Sequence, residues 1–158
     1  MVIPLYKKGD FKDSSNYRPI SLLSTLSKII ERLVKARIFN YLHSINAITT
    51  SQFGSQQSKG THDAIQHLLE HIYKGINQHD AVAAMFCDLS KAFDCVDHRI
   101  LLAKLECYGF RGTALSWFAS YLKGRTQIVV SNGVRSLVLG VQFGVPQRSV
   151  LGPILFLI

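Results

Sequence analysis

Acidic side chains are scarce in this chain: ten Asp and Glu stand against eighteen Lys and Arg, and none follows Glu106. Arg111, Lys123, Arg125, Arg135 and Arg148 therefore have no acidic neighbours in sequence, so that half should carry the positive field. A net charge of +8 and a pI near 9.6 favour a polyanionic partner, with nucleic acid the natural candidate. Solvated Lys and Arg are common in basic proteins, so the charge alone does not decide this. Cysteine is equally sparse. Cys87, Cys95 and Cys107 are odd in number and lack close-paired spacing, which indicates neither a disulfide framework nor a zinc knuckle. A reducing, intracellular setting fits, though three cysteines do not choose between nucleus and cytoplasm. No apolar run approaches a membrane span and no signal peptide opens the chain, so no membrane partner is expected. Internal repeats, low-complexity tracts and linkers are also missing.

What is present suits one domain: 158 residues, 47% of them hydrophobic, with charge too dispersed for disorder. Leu26, Ile29, Ile30, Leu33, Val34, Ile38 and Leu42 recur at helical spacing and predict an amphipathic helix from about Ser24 to His43. A second helix is predicted from Thr61, its cap, to Asn77, with a stripe running from Ala64 and Ile65 to Tyr73 and Ile76. Two more are expected, from Asp97 to Tyr108 closed by Gly109, and from Thr113 to Lys123 closed by Gly124. Asp97 reads as the N-cap of the first of these. Asn132-Gly133, between Gln127–Ser131 and Val134–Val141, suits a tight hairpin turn. The alternation reads as α/β (α+β), helix-rich with a small sheet.

The most informative stretch is AAMFCDLSKAFDCVDH, residues 83–98. Ala81 to Cys87 is small, β-branched and aromatic enough to be a buried strand, in which Cys87 packs as a small apolar residue. Asp88 would then emerge at the sheet's edge, as a metal-ligating group requires, and a carboxylate is costly there unless a cation meets it. The plainer alternative is that Asp88 caps the turn after a strand.

This stretch resembles the palm strand of reverse transcriptases, specifically those of non-LTR retrotransposons. The likeness continues in order along the chain. VIPLYKKGDFKDSSNYRPISLLS resembles the family's opening fingers segment; QFGSQQSKGTHDAI, from Gln52, takes the place of a segment that usually reads QFGFR; GVPQRSVLGPILF resembles the loop and helix usually written GVPQGSVLGP. The resemblance implies a partial fingers and palm of a right-hand polymerase, with a mostly antiparallel sheet. Fingers would occupy about residues 1–80 and the first part of the palm about 81–158. It implies RNA-directed DNA polymerisation, with Mg²⁺ as cofactor and RNA template, DNA primer and deoxynucleoside triphosphates as partners. An endonuclease domain is expected in the full-length relative. Asp88 would ligate Mg²⁺, and Phe93 would lie under the incoming sugar and reject a 2′-hydroxyl. Lys8 and Arg18 would bind nucleotide phosphates, and Gln147 would contact the incoming nucleotide. Lys7 and Lys8 read equally as a solvated hairpin tip, and the Gln147 amide could satisfy loop backbone groups instead.

Three departures suggest that this chain alone does not polymerise. The family's paired-aspartate hairpin, commonly YADD, is not reached. Two-metal phosphoryl transfer holds its ions about 3.5–4 Å apart, more than one Asp can pin, and family members use neither Asp94 nor Asp97 as a substitute. Arg148 stands where the family has Gly, in a loop that must approach nucleotide and template closely, which a long cationic side chain hinders. Ser55 and Gln56 replace the usual Phe-Arg pair.

Two rival readings come from other classes. A basic remnant could bind an RNA–DNA hybrid through its phosphates without catalysis. The string His67-Leu68-Leu69-Glu70-His71 matches the HxxEH pattern of inverted zinc peptidases, yet Leu68 and Leu69 belong to the apolar stripe, and a third ligand would have to be distant.

Overall fold

The computed structural model describes residues 1–56 and 58–158; Gln57, inside the QFGSQQSKG segment, lies outside the described residues. The chain divides into two compact units, Met1–Tyr41 with Lys91–Ile158, and Leu42–Ser90.

The first unit opens with β1 (Val2–Tyr6) and β2 (Tyr17–Ser21), an antiparallel pair in which Leu5 faces Arg18. The connecting loop is closed by Tyr6, whose hydroxyl donates to the Gly9 carbonyl, and by Asp13, whose side chain accepts from Ser15 N–H. Helix α1 (Thr25–Ser44) follows, its last three residues falling in the second unit. It ends at Asn46, which adopts φ 51° while Ala47 N–H reaches back to the Leu42 carbonyl, a Schellman closure.

The second unit contains α2 (Thr61–Asn77). Thr61 is its first residue rather than its cap; Gly60 stands at the cap position, and Asp63 accepts from Gly60 N–H. The α2 stripe is largely uncovered, with Ile65, Leu69, Tyr73 and Ile76 exposed.

The expected strand from Ala81 to Cys87 does not form. Residues 81–89 pair with no described strand, Met85 and Phe86 are 90% and 82% exposed, and Cys87 is exposed rather than packed. A strand is held by its ladder and its covered face, and β-branched composition without a partner edge leaves the backbone to water.

Back in the first unit, α3 (His98–Cys107) and α4 (Thr113–Leu122) pack through Leu101, Leu105, Phe118 and Leu122. Asp97 caps α3, its carboxylate accepting from Arg99 and Ile100 N–H. Gly109, at φ 92°, closes α3 with bonds from Gly109 N–H to Glu106 and from Phe110 N–H to Leu105. Four short strands follow: β3 (Thr126–Gln127), β4 (Val130–Ser131), β5 (Val134–Arg135) and β6 (Leu139–Gly140), with β3 pairing β6 and β4 pairing β5. Asn132 and Gly133, both at positive φ, make the tight turn between β4 and β5. The segment ends in α5 (Gly152–Leu157), where Leu151, Ile154 and Leu155 are buried. The architecture is helix-rich with small antiparallel sheets. Among the described residues no helix is long and apolar enough to cross a membrane.

Helix α1 corrects the first half of the expected stripe and keeps the second. Leu26, Ile29, Ile30 and Leu33 are exposed, whereas Glu31, Ile38 and Leu42 are buried. Periodicity identified the helix and the buried positions Ile38 and Leu42, but not the burial of Glu31 or the exposure of the first two turns.

Candidate functional site

The chemistry-bearing residues of the first unit converge where the loop 141–151 meets the turn at residues 91–98. Lys91, at φ 52°, starts a 3-10 turn, Ala92–Asp94. Gly144 N–H donates to the Val96 carbonyl and Val145 N–H to the Phe93 carbonyl, both at 2.8 Å. His98, itself buried, closes the latch with Nε2 2.7 Å from the Gly144 carbonyl. Gly144 is required twice over: its φ is 83°, and a Cβ there would lie 2.9 Å from both Asp94 Cα and the Phe93 carbonyl oxygen.

This docking brings Gln147 to Asp94. The Gln147 amide nitrogen donates to both carboxylate oxygens, at 3.0 and 3.1 Å. Behind the loop, the buried Glu31 accepts from Val150 N–H at 2.6 Å, Leu151 N–H at 3.3 Å and the Tyr121 hydroxyl at 3.1 Å. Burial and the neighbouring Glu31 charge push the Tyr121 hydroxyl up to about 12. Arg148, between these anchors, sits at φ 67°, the left-handed conformation that Gly adopts without strain.

Two cavities open beside this loop. One of about 360 Å³ is lined by Asp94, Gln147, Gly144, Arg125 and Ser21. Another, of about 590 Å³, is lined by Lys12, Tyr17, Lys91, Asp94 and Ser131. Arg125, whose guanidinium lies 5.2 Å over the Tyr121 ring, lines the first cavity, and Lys12 and Lys91 line the second; cations in the walls of both suit an anionic ligand. Asp97 is already paired with Arg99, and with eighteen Lys and Arg against ten Asp and Glu the basic excess is largely uncompensated.

The expected site residues distribute as follows. Gln147 lines the first cavity. Phe93 lies in the turn that holds the loop, its ring stacked on Phe156 at 5.0 Å. Arg18 is exposed on β2 opposite Leu5, and Lys8 is exposed at the hairpin tip. Asp88 belongs to the second unit, where it is exposed. Among the described residues no three His, Cys, Asp or Glu side chains gather as a metal-binding group. One carboxylate does not fit a pair of divalent ions. In α2, His67 and His71 lie with ring centroids 4.4 Å apart, His71 Nδ1 bonds the His67 carbonyl, and Glu70 accepts from Gln66. These are contacts of a solvated helix face.

Sequence reasoning missed Glu31, Asp94 as the partner of Gln147, and the cavity lysines Lys12 and Lys91. Only Asp94 carried a signal, as part of the AFD string, and nothing in its spacing pointed 53 residues ahead.

Comparison with known proteins gives the family. Residues 6–158 match the family described as reverse transcriptase (RNA-dependent DNA polymerase). A probable RNA-directed DNA polymerase from transposon BS of Drosophila melanogaster is 34% identical over 98% of this chain and 17% of its own length. The RNA-directed DNA polymerase from mobile element jockey of Drosophila funebris is 34% identical over 91% of the chain and 16% of its own. A Pol polyprotein from the type-1 retrotransposable element R2 of Popillia japonica is 28% identical over 95% and 21%. The chain thus spans about a sixth to a fifth of these relatives. The family match across nearly every residue, with relatives 34% identical over nine-tenths or more of the chain, places the chain in the reverse transcriptase family, among the enzymes of non-LTR retrotransposons.

Proposed function

We propose that this chain is the nucleotide-facing part of an RNA-directed DNA polymerase that extends a DNA primer on an RNA template. The observation that carries this reading is the main-chain latch holding the 144–151 loop on the turn 93–98, because it fixes Gln147 beside a cavity that Arg125 lines, while Asp94, its partner, also lines the neighbouring cavity with Lys12 and Lys91. Gln147 positions the incoming deoxynucleotide and Phe93 screens its sugar. Lys8 and Arg18 clamp its phosphates, Arg18 through its planar guanidinium fork. Asp88 contributes one ligand to Mg²⁺. The remaining ligands, and an endonuclease domain, belong to other parts of the full-length protein. With no metal-binding group of three His, Cys, Asp or Glu side chains among the described residues, this chain binds nucleic acid without extending it.

A second reading, a basic module that holds an RNA–DNA hybrid by its phosphates, is favoured by the net charge of +8. Primer extension on an RNA template with Mg²⁺, run beside a binding assay at several salt concentrations, separates the two. Salt-dependent binding with added affinity for deoxynucleoside triphosphate supports the polymerase part. Binding indifferent to nucleotide supports the module. Extension by this chain alone would overturn the claim that its metal site is incomplete.

A further inference from the structure

The bond from Gln147 to Asp94 decides which end of an otherwise ambiguous amide faces the cavity. A carboxylate only accepts hydrogen bonds, so the amide nitrogen must face Asp94, as it does at 3.0 and 3.1 Å. The amide oxygen is left without a donor among the described residues, beside a cavity of about 360 Å³ that both side chains line. We propose that Asp94 is a positioning residue that locks Gln147 with its carbonyl oxygen outward, so that the site offers an incoming nucleotide a hydrogen-bond acceptor and selects a hydroxyl or amino donor.

The backbone supports this assignment. Asp94 is held in the 3-10 turn by its own N–H on the Lys91 carbonyl, and the loop is held by the Gly144 and Val145 bonds, so neither partner can drift to another register. The two side chains also exclude the opposite polarity. Turning the amide over would aim Oε1 at two carboxylate oxygens, a repulsion that replaces two charge-assisted bonds.

The inference rests on the nucleotide role given to Gln147, and its test separates the two. In the ¹⁵N-labelled chain the Gln147 side-chain amide protons should be shifted and slow to exchange beside those of the exposed Gln127 and Gln142. Asp94→Asn should return them toward ordinary glutamine positions. The exchanged pair Asp94→Asn with Gln147→Glu reverses the donor and acceptor while keeping an oxygen outward, and should restore a restrained amide pair, now on position 94. Affinity for deoxyguanosine triphosphate should fall about tenfold in Asp94→Asn and recover to within about threefold in the exchanged pair. Amide signals indifferent to Asp94→Asn, or an exchanged pair no better than the single variant, would overturn the proposal. If Asp94→Asn fails to fold, fast exchange of the Gln147 amide protons in the unsubstituted chain does so equally. If the unsubstituted chain binds no nucleotide, the nucleotide role of Gln147 falls, and the lock on its amide stands or falls on the amide signals alone.

Discussion

The carboxylate of Glu31, on α1, accepts the backbone N–H of Val150 at 2.6 Å and so ties a helix near the start of the chain to the loop that carries Gln147, 119 residues later. It also takes the Leu151 N–H and the Tyr121 hydroxyl. Glu31→Ala leaves these donors unmet in a buried site and should destabilise the chain by roughly 3 kcal/mol, whereas Glu31→Gln keeps an acceptor and should lose about 1 kcal/mol. Urea unfolding of the three proteins checks the order.

Tyr121 gives that cluster a pH signature. Its hydroxyl holds its proton up to about 12 in the folded chain against 10.0 ordinarily. Between those values the unfolded chain releases a proton that the folded chain retains. Stability is therefore undiminished below pH 10 and falls as pH rises toward 12. Melting temperatures measured from pH 9 to 12 should drop less steeply for Tyr121→Phe than for the parent chain.

Gly144→Ala tests the latch. The added methyl carbon meets backbone at 2.9 Å on two atoms in a conformation of positive φ, and neither obstacle can swing aside. We expect a loss of roughly 2–4 kcal/mol in urea unfolding. Gly133→Ala, which has open space around it but the same sign of φ, should lose only about 1 kcal/mol.

Arg148→Gly should act in the other direction. Relief of a left-handed residue should stabilise the chain by about 0.5–1 kcal/mol, net of the greater freedom of Gly when unfolded. Removing the side chain beside Gln147 should also tighten binding of deoxyguanosine triphosphate in a calorimetric titration. Equal affinities would show that Arg148 does not obstruct the site.

The parts of this fold legible in the sequence are those set by a few adjacent residues. Asp97 caps α3, Asn132-Gly133 turns the hairpin, and Gly109 ends a helix, because each needs only local backbone geometry. Burial is a tertiary property and followed different rules. The apolar stripe of α1 is buried at Ile38 and Leu42 but exposed at Leu26, Ile29, Ile30 and Leu33, and in that first half the buried side chain is Glu31, whose carboxylate accepts the N–H groups of Val150 and Leu151. The stretch from Ala81 to Cys87 has strand composition but no ladder. The resemblance supplied Asp88, Phe93 and Gln147 as individual residues. It did not supply the contact of Gln147 with Asp94, since a hydrogen bond across 53 positions leaves no periodic trace.

The junction of Gly144 and Val145 with Phe93 and Val96 joins peptide groups rather than side chains. A displacement of the backbone at Gly144 and Val145 therefore pulls on the backbone of Phe93 as well. On the roles proposed for Phe93 and Gln147, selection of the sugar and placement of the nucleotide would then drift together under mutation, and a library varying either residue alone would recover paired changes in both properties.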